Sequence, residues 1–184
     1  EVQEPEAFEL FKKAGCKVDS ETRIVKIKES KIRNLISTVP SSVTLCGREA
    51  KHDLVLGAGN VYFGTGGTAL NVLDYETNEK RNANIQDLVE IVRIVDQLKH
   101  VHFMLLPTYP CEIPVEDVDV NRFFAGIQNT AKHIMGGVYT SKGIDQVIEM
   151  AEKIAGGSEA LRDRPFISMI TCGISPLRLD SKYG

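Results

Sequence analysis

The second half of the chain alternates between amphipathic helical patterns and short apolar runs. In the clearest helical pattern, apolar residues recur on one face at Ile85, Leu88, Val89, Val92, Val95 and Leu98. Helices are predicted over residues 84–99, 116–131 and from 141 onward, and strands over 101–106, 133–139 and 166–172. The run at 101–106 is continuously apolar, which predicts a strand buried on both faces. Strand starts recur every ~32–33 residues, the size of one βαβ step, which predicts parallel β/α architecture.

Polar residues and glycines mark the predicted helix ends. Asn84 and Ser141 are expected to cap the first and third helices, because their side chains can accept hydrogen bonds from free backbone N–H groups. Gly156-Gly157 should end the third helix. In the second helix, Phe124 and Ile127 are expected to face the sheet.

The first 52 residues follow a different, mixed pattern. Gly15 and Pro40 interrupt it after two helical segments. Helices are predicted over 5–14 and 29–39, and strands over 22–27 and 42–45. Residues 1–52 are therefore predicted to form an N-terminal α+β cap.

A glycine-rich motif within residues 53–83 distinguishes between two parallel architectures, a doubly wound sheet and a barrel. Strands are predicted over 53–56 and 60–64, and a hairpin pairs 70–73 with the stretch near Lys80. A doubly wound dinucleotide-binding sheet would carry G-x-G-x-x-G between a strand and a helix, whereas Gly64-Thr65-Gly66-Gly67 leads into the hairpin. This favours a (β/α)8 TIM barrel.

Such a barrel needs about 250 residues and eight strands, and only about half of those strands are predicted here. Residues 53–184 are thus expected to be the first half of a barrel domain, truncated at its C-terminal side. Half a barrel leaves sheet edges unpaired, so closure against a second copy, giving a homo-oligomer, is the other possibility.

Composition excludes several classes of protein. With 42% apolar residues, 26% charged residues and a net charge of −3, the chain lacks the basic surface of a nucleic-acid or membrane-surface protein. No apolar run reaches the ~18–20 residues of a membrane span. The four cysteines and four histidines do not fall at metal-ligand spacing, so reduced thiols, a cytoplasmic location and no metal site are expected.

The predicted carboxyl ends of the strands, where barrel enzymes place their sites, are rich in glycine, proline and aromatic residues. Phe63, Tyr109 and Tyr139 follow three different strands. Their rings would either hold a quaternary ammonium by cation–π attraction or close the barrel mouth as core. Likewise Gly64-Thr65-Gly66-Gly67 would either admit a ligand to the backbone or form a tight turn. No acid, base or nucleophile is evident, and Cys172 is expected to be a small buried apolar residue.

Several stretches resemble the trimethylamine:corrinoid methyltransferase family. They run from the N-terminal part to the last predicted strand: Ala14-Gly15-Cys16-Lys17-Val18-Asp19, Ser42-Val43-Thr44-Leu45-Cys46-Gly47-Arg48, Val61-Tyr62-Phe63-Gly64-Thr65-Gly66-Gly67-Thr68-Ala69, Asn129-Thr130-Ala131-Lys132, Pro165-Phe166-Ile167-Ser168 and Cys172-Gly173-Ile174-Ser175-Pro176-Leu177. The sequence that begins at Phe63 and ends at Ala69 is more similar to the branch without pyrrolysine, whose members act on quaternary amines such as glycine betaine.

The resemblance implies a TIM-barrel methyltransferase that moves a methyl group from a methylated amine to the Co(I) centre of a corrinoid carried by a partner protein, not bound covalently. It also implies substrate-binding roles for Phe63, Gly64, Thr65, Gly66 and Gly67; Tyr109 and Tyr139 are added from their positions alone. No catalytic side chain is assigned. Two alternatives stay open: a non-catalytic module that binds the amine or the corrinoid protein, and an unrelated barrel enzyme with its catalytic residues on absent strands.

Overall fold

The computed structural model describes residues 1–173 and 177–180 and shows a mixed α/β protein. Two compact units are separated within the chain. The first comprises Glu1–Ser41 together with the described residues from Thr171 onward, and the second is Ser42–Ile170. Over the described residues, no helix combines the length and apolar character that crossing a bilayer requires.

The first unit is built from two helices and a small hairpin. It contains α1 (Pro5–Lys13), β1 (Lys17–Asp19), β2 (Ile24–Lys26) and α2 (Glu29–Ile36). The Glu4 carboxylate accepts a hydrogen bond from the Ala7 N–H at 2.6 Å and Pro5 occupies the first turn, which explains where α1 begins. Gly15, at φ +74°, follows its end. Both predicted helices and the predicted strand are confirmed with shorter bounds, and β1 is an additional strand.

The second unit holds two antiparallel pairs and a parallel sheet. The pairs are β3 (Val43–Leu45) with β4 (Leu54–Leu56), and β5 (Asn71–Leu73) with β6 (Lys80–Asn82). The predicted hairpin is therefore confirmed, with Leu73 opposite Lys80. The three-stranded parallel sheet consists of β7 (Met104–Leu105), β8 (Ile134–Gly137) and β9 (Ile167–Ile170), in that order.

The segment 64–69 runs along the free edge of β7. Parallel bridges join Gly64 to Phe103 and Ala69 to Thr108. The predicted strand over 60–64 is wrong except for this last residue. Its backbone bonds go elsewhere: the Asn60 N–H donates to the Gly57 carbonyl in a turn, and the Phe63 N–H donates to the His102 imidazole Nδ1 at 3.0 Å.

Helices α3 (Ile85–Gln97), α4 (Val118–Asn129) and α5 (Ser141–Ala155) pack against one face of the parallel sheet, and α6 (Ser158–Asp163) leads into β9. The core is formed by apolar residues of the sheet and of these three helices: Leu88, Val92, Met104, Leu106, Phe123, Ile127, Ile134 and Val147. Along β7, Met104 and Leu106 are fully buried while Leu105 is half-buried. The expectation that this strand is buried on both faces is therefore wrong; burial alternates with the pleat.

Two local expectations also need correction. Phe124 is 45% exposed and its neighbour Phe123 is fully buried, because the inward face of α4 includes charged residues that the apolar pattern does not reveal. Thr140, rather than Ser141, caps α5: its hydroxyl accepts a hydrogen bond from the Gly143 N–H at 2.9 Å. The capping role of Asn84, the inward position of Ile127 and the helix end at Gly156 are confirmed.

Candidate functional site

Two tyrosines meet at the carboxyl end of the parallel sheet. Tyr109 follows β7 and Tyr139 follows β8, so strand direction places both at the same edge. Their ring centroids lie 5.3 Å apart with the ring planes at 80°, an edge-to-face arrangement that aromatic pairs favour. Both rings are half-buried. The structure therefore brings together these two of the three predicted aromatic residues.

Arg122 of α4 lies fully buried beside the tyrosine pair. Its guanidinium carbon lies 5.4 Å from the centroid of the Tyr139 ring. Its donors reach three neighbouring chain segments: Nε donates to the Thr108 carbonyl at 3.0 Å, Nη1 to the Gly137 carbonyl at 3.2 Å, and Nη2 to Thr68 Oγ1 at 3.2 Å and the Leu106 carbonyl at 3.3 Å. One side chain thus joins the ends of β7, β8 and the segment 64–69.

Asp119, one turn before Arg122 on α4, is also fully buried. Its Oδ2 accepts hydrogen bonds from the N–H groups of Tyr139 at 2.9 Å and Thr140 at 3.1 Å. Gly143 is required beside it, because a Cβ at that position would overlap the carboxylate. Over the described part of the chain, Asp119 Oδ1 and Thr108 Oγ1 are buried without a hydrogen-bond partner.

Burial sets the electrostatics of this end of the sheet. It lowers the pKa of Arg122, an effect opposed by the nearby Tyr139 and Asp119. Burial also raises the pKa of Tyr109, with Tyr139 and Asp119 adding to the rise. Arginine does not deprotonate in proteins, so Arg122 keeps its positive charge, and the raised pKa keeps the Tyr109 phenol neutral at physiological pH.

The glycine-rich segment lies tightly against β7. A Cβ on Gly64 would overlap the Phe103 ring, and one on Gly67 would lie 2.5 Å from the Leu106 carbonyl oxygen. The Thr65 hydroxyl donates to the Leu105 carbonyl at 2.5 Å. Gly66 differs, since a Cβ there would meet no described atom within 4 Å. Close approach to the neighbouring strand accounts for Gly64 and Gly67, and leaves Gly66 as the position where the backbone is open to a ligand.

Phe63 lies apart from the tyrosine pair. The segment 64–69 runs parallel to 103–108, so Phe63 stands beside the start of β7 and Tyr109 beyond its end. The Phe63 ring is 65% exposed and stacks on His102, with centroids 6.5 Å apart. The expected convergence of three aromatic rings is therefore observed for two.

The cysteines and the possible metal ligands are the remaining candidates. The four cysteines are free thiols, with Cys172 exposed rather than buried as predicted. Within residues 1–173 and 177–180, no group of three or more His, Cys, Asp or Glu side chains is arranged to hold a metal ion. Ile174, Ser175 and Pro176, part of the predicted strand end after β9, lie outside the described residues.

Sequence reasoning missed Asp119 and Arg122. The available signal was their position: the two charges are three residues apart and lie among Val118, Phe123 and Gly126 on one helical face. A charged pair within an apolar stripe is rarely buried unless it is hydrogen-bonded. Such a pair therefore indicates either an exposed face or a built polar site, and the structure shows the second.

Parallel strands in chain order, with polar and aromatic residues at their carboxyl ends, define an α/β protein, and proteins of this class commonly bind small molecules at that edge. The family model described as trimethylamine methyltransferase (MTTB) matches residues 1–183. The chain belongs to the trimethylamine methyltransferase family, which confirms the resemblance found in its motifs.

Individual relatives agree with this placement. The chain is 33% identical over 178 residues to the trimethylamine methyltransferase MttB of Desulfitobacterium hafniense (strain DSM 10664 / DCB-2), covering 97% of this chain and 36% of that protein. It is 30% identical over 184 residues to MttB of Methanosarcina thermophila, covering 97% and 38%. A glycine betaine methyltransferase of Desulfitobacterium hafniense (strain Y51) is 22% identical over 177 residues, covering 96% and 36%. The chain thus spans little more than a third of the length of these curated relatives.

Proposed function

We propose that the full-length protein transfers a methyl group from a methylated amine to the Co(I) centre of a corrinoid held by a partner protein. The observation that carries the proposal is the Tyr109–Tyr139 pair at the carboxyl end of the sheet in a chain of this family. Aromatic faces attract methylated ammonium groups by cation–π interaction. Trimethylamine and glycine betaine, which the relatives' names contain, both present such groups in their cationic forms.

The parallel sheet supports part of a TIM barrel as the underlying fold. The segment 64–69, β7, β8 and β9 lie side by side in chain order, and helices pack on one face. A doubly wound sheet reverses its strand order at a switch point, whereas a (β/α)8 barrel keeps chain order throughout. In the described residues no closed barrel is present.

The residues at the strand ends fit a reaction whose nucleophile comes from outside this chain. Three strand ends, 64–69, 106–110 and 137–140, contain no lysine, histidine, cysteine or carboxylate, and the described residues after β9 add the free thiol of Cys172. Asp119 and Arg122 are buried, and Asp119 Oδ2 and the Arg122 guanidinium are hydrogen-bonded to backbone groups. A Co(I) corrinoid on the bound partner protein would supply the nucleophile, and this chain would supply the amine-binding residues.

The contribution of this chain is binding and alignment. The methyl group leaves nitrogen without its bonding electron pair, so the amine departs neutral and positive charge on nitrogen fades during transfer. A half-buried aromatic site excludes water from that charge, which favours its loss. Holding the N–CH3 bond in one orientation supplies the remaining advantage, because misalignment by about 1 Å costs up to about 10²-fold in rate.

Two observations favour two candidate substrate classes, quaternary amines first and trimethylamine second. The motif around Phe63 favours quaternary amines, and the glycine betaine relative agrees with that choice. Higher identity to the two trimethylamine methyltransferases favours trimethylamine as the second candidate. The four free thiols support a reducing, cytoplasmic location.

The test is a methyl-transfer assay with the full-length protein, a Co(I) corrinoid protein, and glycine betaine or trimethylamine in separate reactions. Loss of the Co(I) absorption band with release of the demethylated amine is the expected result, and the faster substrate identifies the class. Amine demethylation in reactions that lack corrinoid would overturn the mechanism. Unchanged Co(I) with either amine would support a non-catalytic binding module.

A further inference from the structure

Two ionisable side chains at the carboxyl end of the sheet remain outside the mechanism derived above. Asp119 and Arg122 project from successive turns of α4 and are fully buried. Within the described residues, the Arg122 guanidinium donates hydrogen bonds to three backbone carbonyls and to Thr68 Oγ1, and it also interacts with the Tyr139 side chain. An apolar side chain of similar volume often fills such a space at no loss of stability. The charged pair therefore calls for an explanation beyond packing.

The two residues contact different parts of Tyr139, Asp119 its backbone N–H and Arg122 its ring. Asp119 Oδ2 accepts the N–H of Tyr139 and that of Thr140, which fixes the backbone after β8. Arg122 lies 5.4 Å from the centroid of the Tyr139 ring and bonds the Gly137 carbonyl two residues earlier. Backbone and ring are thus restrained by separate groups on the same helix.

Tyr109 is restrained through the same guanidinium. Arg122 Nε donates to the carbonyl of Thr108, the residue before it. The Tyr109 N–H donates to the Ala69 carbonyl at 2.9 Å, and Thr68, next to Ala69, accepts from Arg122 Nη2. Arg122 therefore bonds a backbone carbonyl within two residues of each tyrosine.

We propose that Asp119 and Arg122 are positioning residues that hold Tyr109 and Tyr139 in the edge-to-face arrangement that receives the substrate amine. This proposal rests on the proposed function. Neither residue is catalytic: each acts through the tyrosines, by fixing where their rings stand relative to the N–CH3 bond. Arginine suits this role because its planar fork presents several donors in fixed directions, which lysine cannot reproduce.

The experiment uses Arg122→Lys and Asp119→Asn in the full-length protein. The matched controls are Arg93→Lys on α3 and Asp145→Asn on α5, both exposed. Two readouts are compared with thermal unfolding. One is near-ultraviolet circular dichroism, assigned by difference spectra with Tyr109→Phe and Tyr139→Phe; this chain contributes five tyrosines and no tryptophan to that signal. The other is binding of tetramethylammonium chloride, followed by tyrosine fluorescence.

The expected result is loss of the signal assigned to Tyr109 and Tyr139, and a rise of about tenfold in the Kd for tetramethylammonium, in folded Arg122→Lys and Asp119→Asn proteins but not in the controls. In the methyl-transfer assay the KM for the amine should rise and kcat should fall, because the substrate is bound more weakly and less well aligned. A variant that is only less heat-stable, with the tyrosine signal and Kd of the wild type, overturns the proposal. Should Arg122→Lys not fold, the near-isosteric Asp119→Asn decides by the same criteria.

The spectroscopic and binding readouts separate this proposal from the proposed function. If no amine is demethylated by the wild type, the methyltransferase assignment fails, and the tyrosine signal still tests whether Asp119 and Arg122 hold the ring pair. If methyl transfer is observed and both variants retain the wild-type KM and tyrosine signal, the positioning role fails alone.

Discussion

At the scale of single residues, His133 joins elements that are distant in the chain. It is 1% exposed, and its Nδ1 lies 2.8 Å from the Cys46 carbonyl and its Nε2 2.7 Å from Ser168 Oγ. Nδ1 must carry the proton to donate to a carbonyl, so Nε2 accepts from the serine hydroxyl. Burial lowers the pKa of His133, with the Cys46 carbonyl opposing the effect. The neutral imidazole therefore links β8, β9 and the residue after β3.

This arrangement predicts a pH-dependent stability. A histidine whose pKa is depressed in the folded state contributes stability that is present above the unfolded pKa, about 6.5, and is lost as pH falls through the folded pKa. The free energy of unfolding, measured by urea denaturation from pH 7.5 to 5, should fall more steeply in the wild type than in His133→Asn. The exposed-residue variant His100→Asn is the control and should keep the wild-type slope. Parallel slopes for wild type and His133→Asn would show that this histidine does not titrate with folding.

At the scale of elements, the segment 64–69 and β7 touch closely enough to exclude side chains. Gly67→Ala would place a Cβ against the Leu106 carbonyl oxygen, whereas the same change at Gly66 meets open space. We expect Gly67→Ala to destabilise the protein by about 1–3 kcal/mol, the usual cost of overpacking, and Gly66→Ala to change stability by less than ~0.5 kcal/mol. Chemical denaturation of both variants measures the difference. Equal losses would mean that the segment is not seated against β7.

The end of α3 depends on Lys132. Its buried ammonium donates to the carbonyls of Val95 at 2.6 Å, Leu98 at 2.9 Å and Val101 at 2.7 Å, at the point where the helix ends and the chain turns toward β7. The first two carbonyls also accept the N–H groups of Leu98 and Val101. Burial lowers the pKa of Lys132, with Asp96 opposing the effect. Lys132→Met should destabilise by roughly 2–4 kcal/mol, because it removes three charge-assisted hydrogen bonds from the end of α3. Lys99→Met, at an exposed position nearby, should cost little; a comparable loss in both would contradict this role.

Local features of these elements could be predicted from sequence, and their relative positions could not. Asn84 caps α3 through a reciprocal bond with Asp87 three residues away, so the pattern is complete within one turn. The inward position predicted for Phe124 is wrong because Asp119 and Arg122 lie on the buried face of α4, and apolar periodicity treats charged residues as exposed. Phe63 was misplaced relative to Tyr109 because the register of 64–69 along β7 depends on pairing between segments.

At the scale of the whole molecule, the two ends of the parallel sheet carry different candidate aromatic residues. Tyr109 and Tyr139 meet at the carboxyl end, and Phe63 lies beside the start of β7. We expect Tyr139→Leu in the full-length protein to weaken tetramethylammonium binding by about 0.5–2 kcal/mol, the size of one cation–π contact. Tyr75→Leu, at a 90% exposed position in the β5–β6 turn, is the control and should bind as the wild type. Phe63→Leu tests the sequence-based prediction directly, since a loss equal to that of Tyr139→Leu would return the site to the start of β7.

The bonds made by Arg122 have a consequence for how such a protein can change over evolution. Its guanidinium bonds three main-chain carbonyls, and Thr68 supplies a side-chain acceptor. A main-chain carbonyl is present whichever amino acid occupies the position. Mutations of the side chains at the strand ends can therefore alter the shape and polarity of the candidate site while Arg122 keeps its bonds to the main chain. A site built in this way separates what must be kept from what is free to vary, so the residues at the strand ends can change without rebuilding the support.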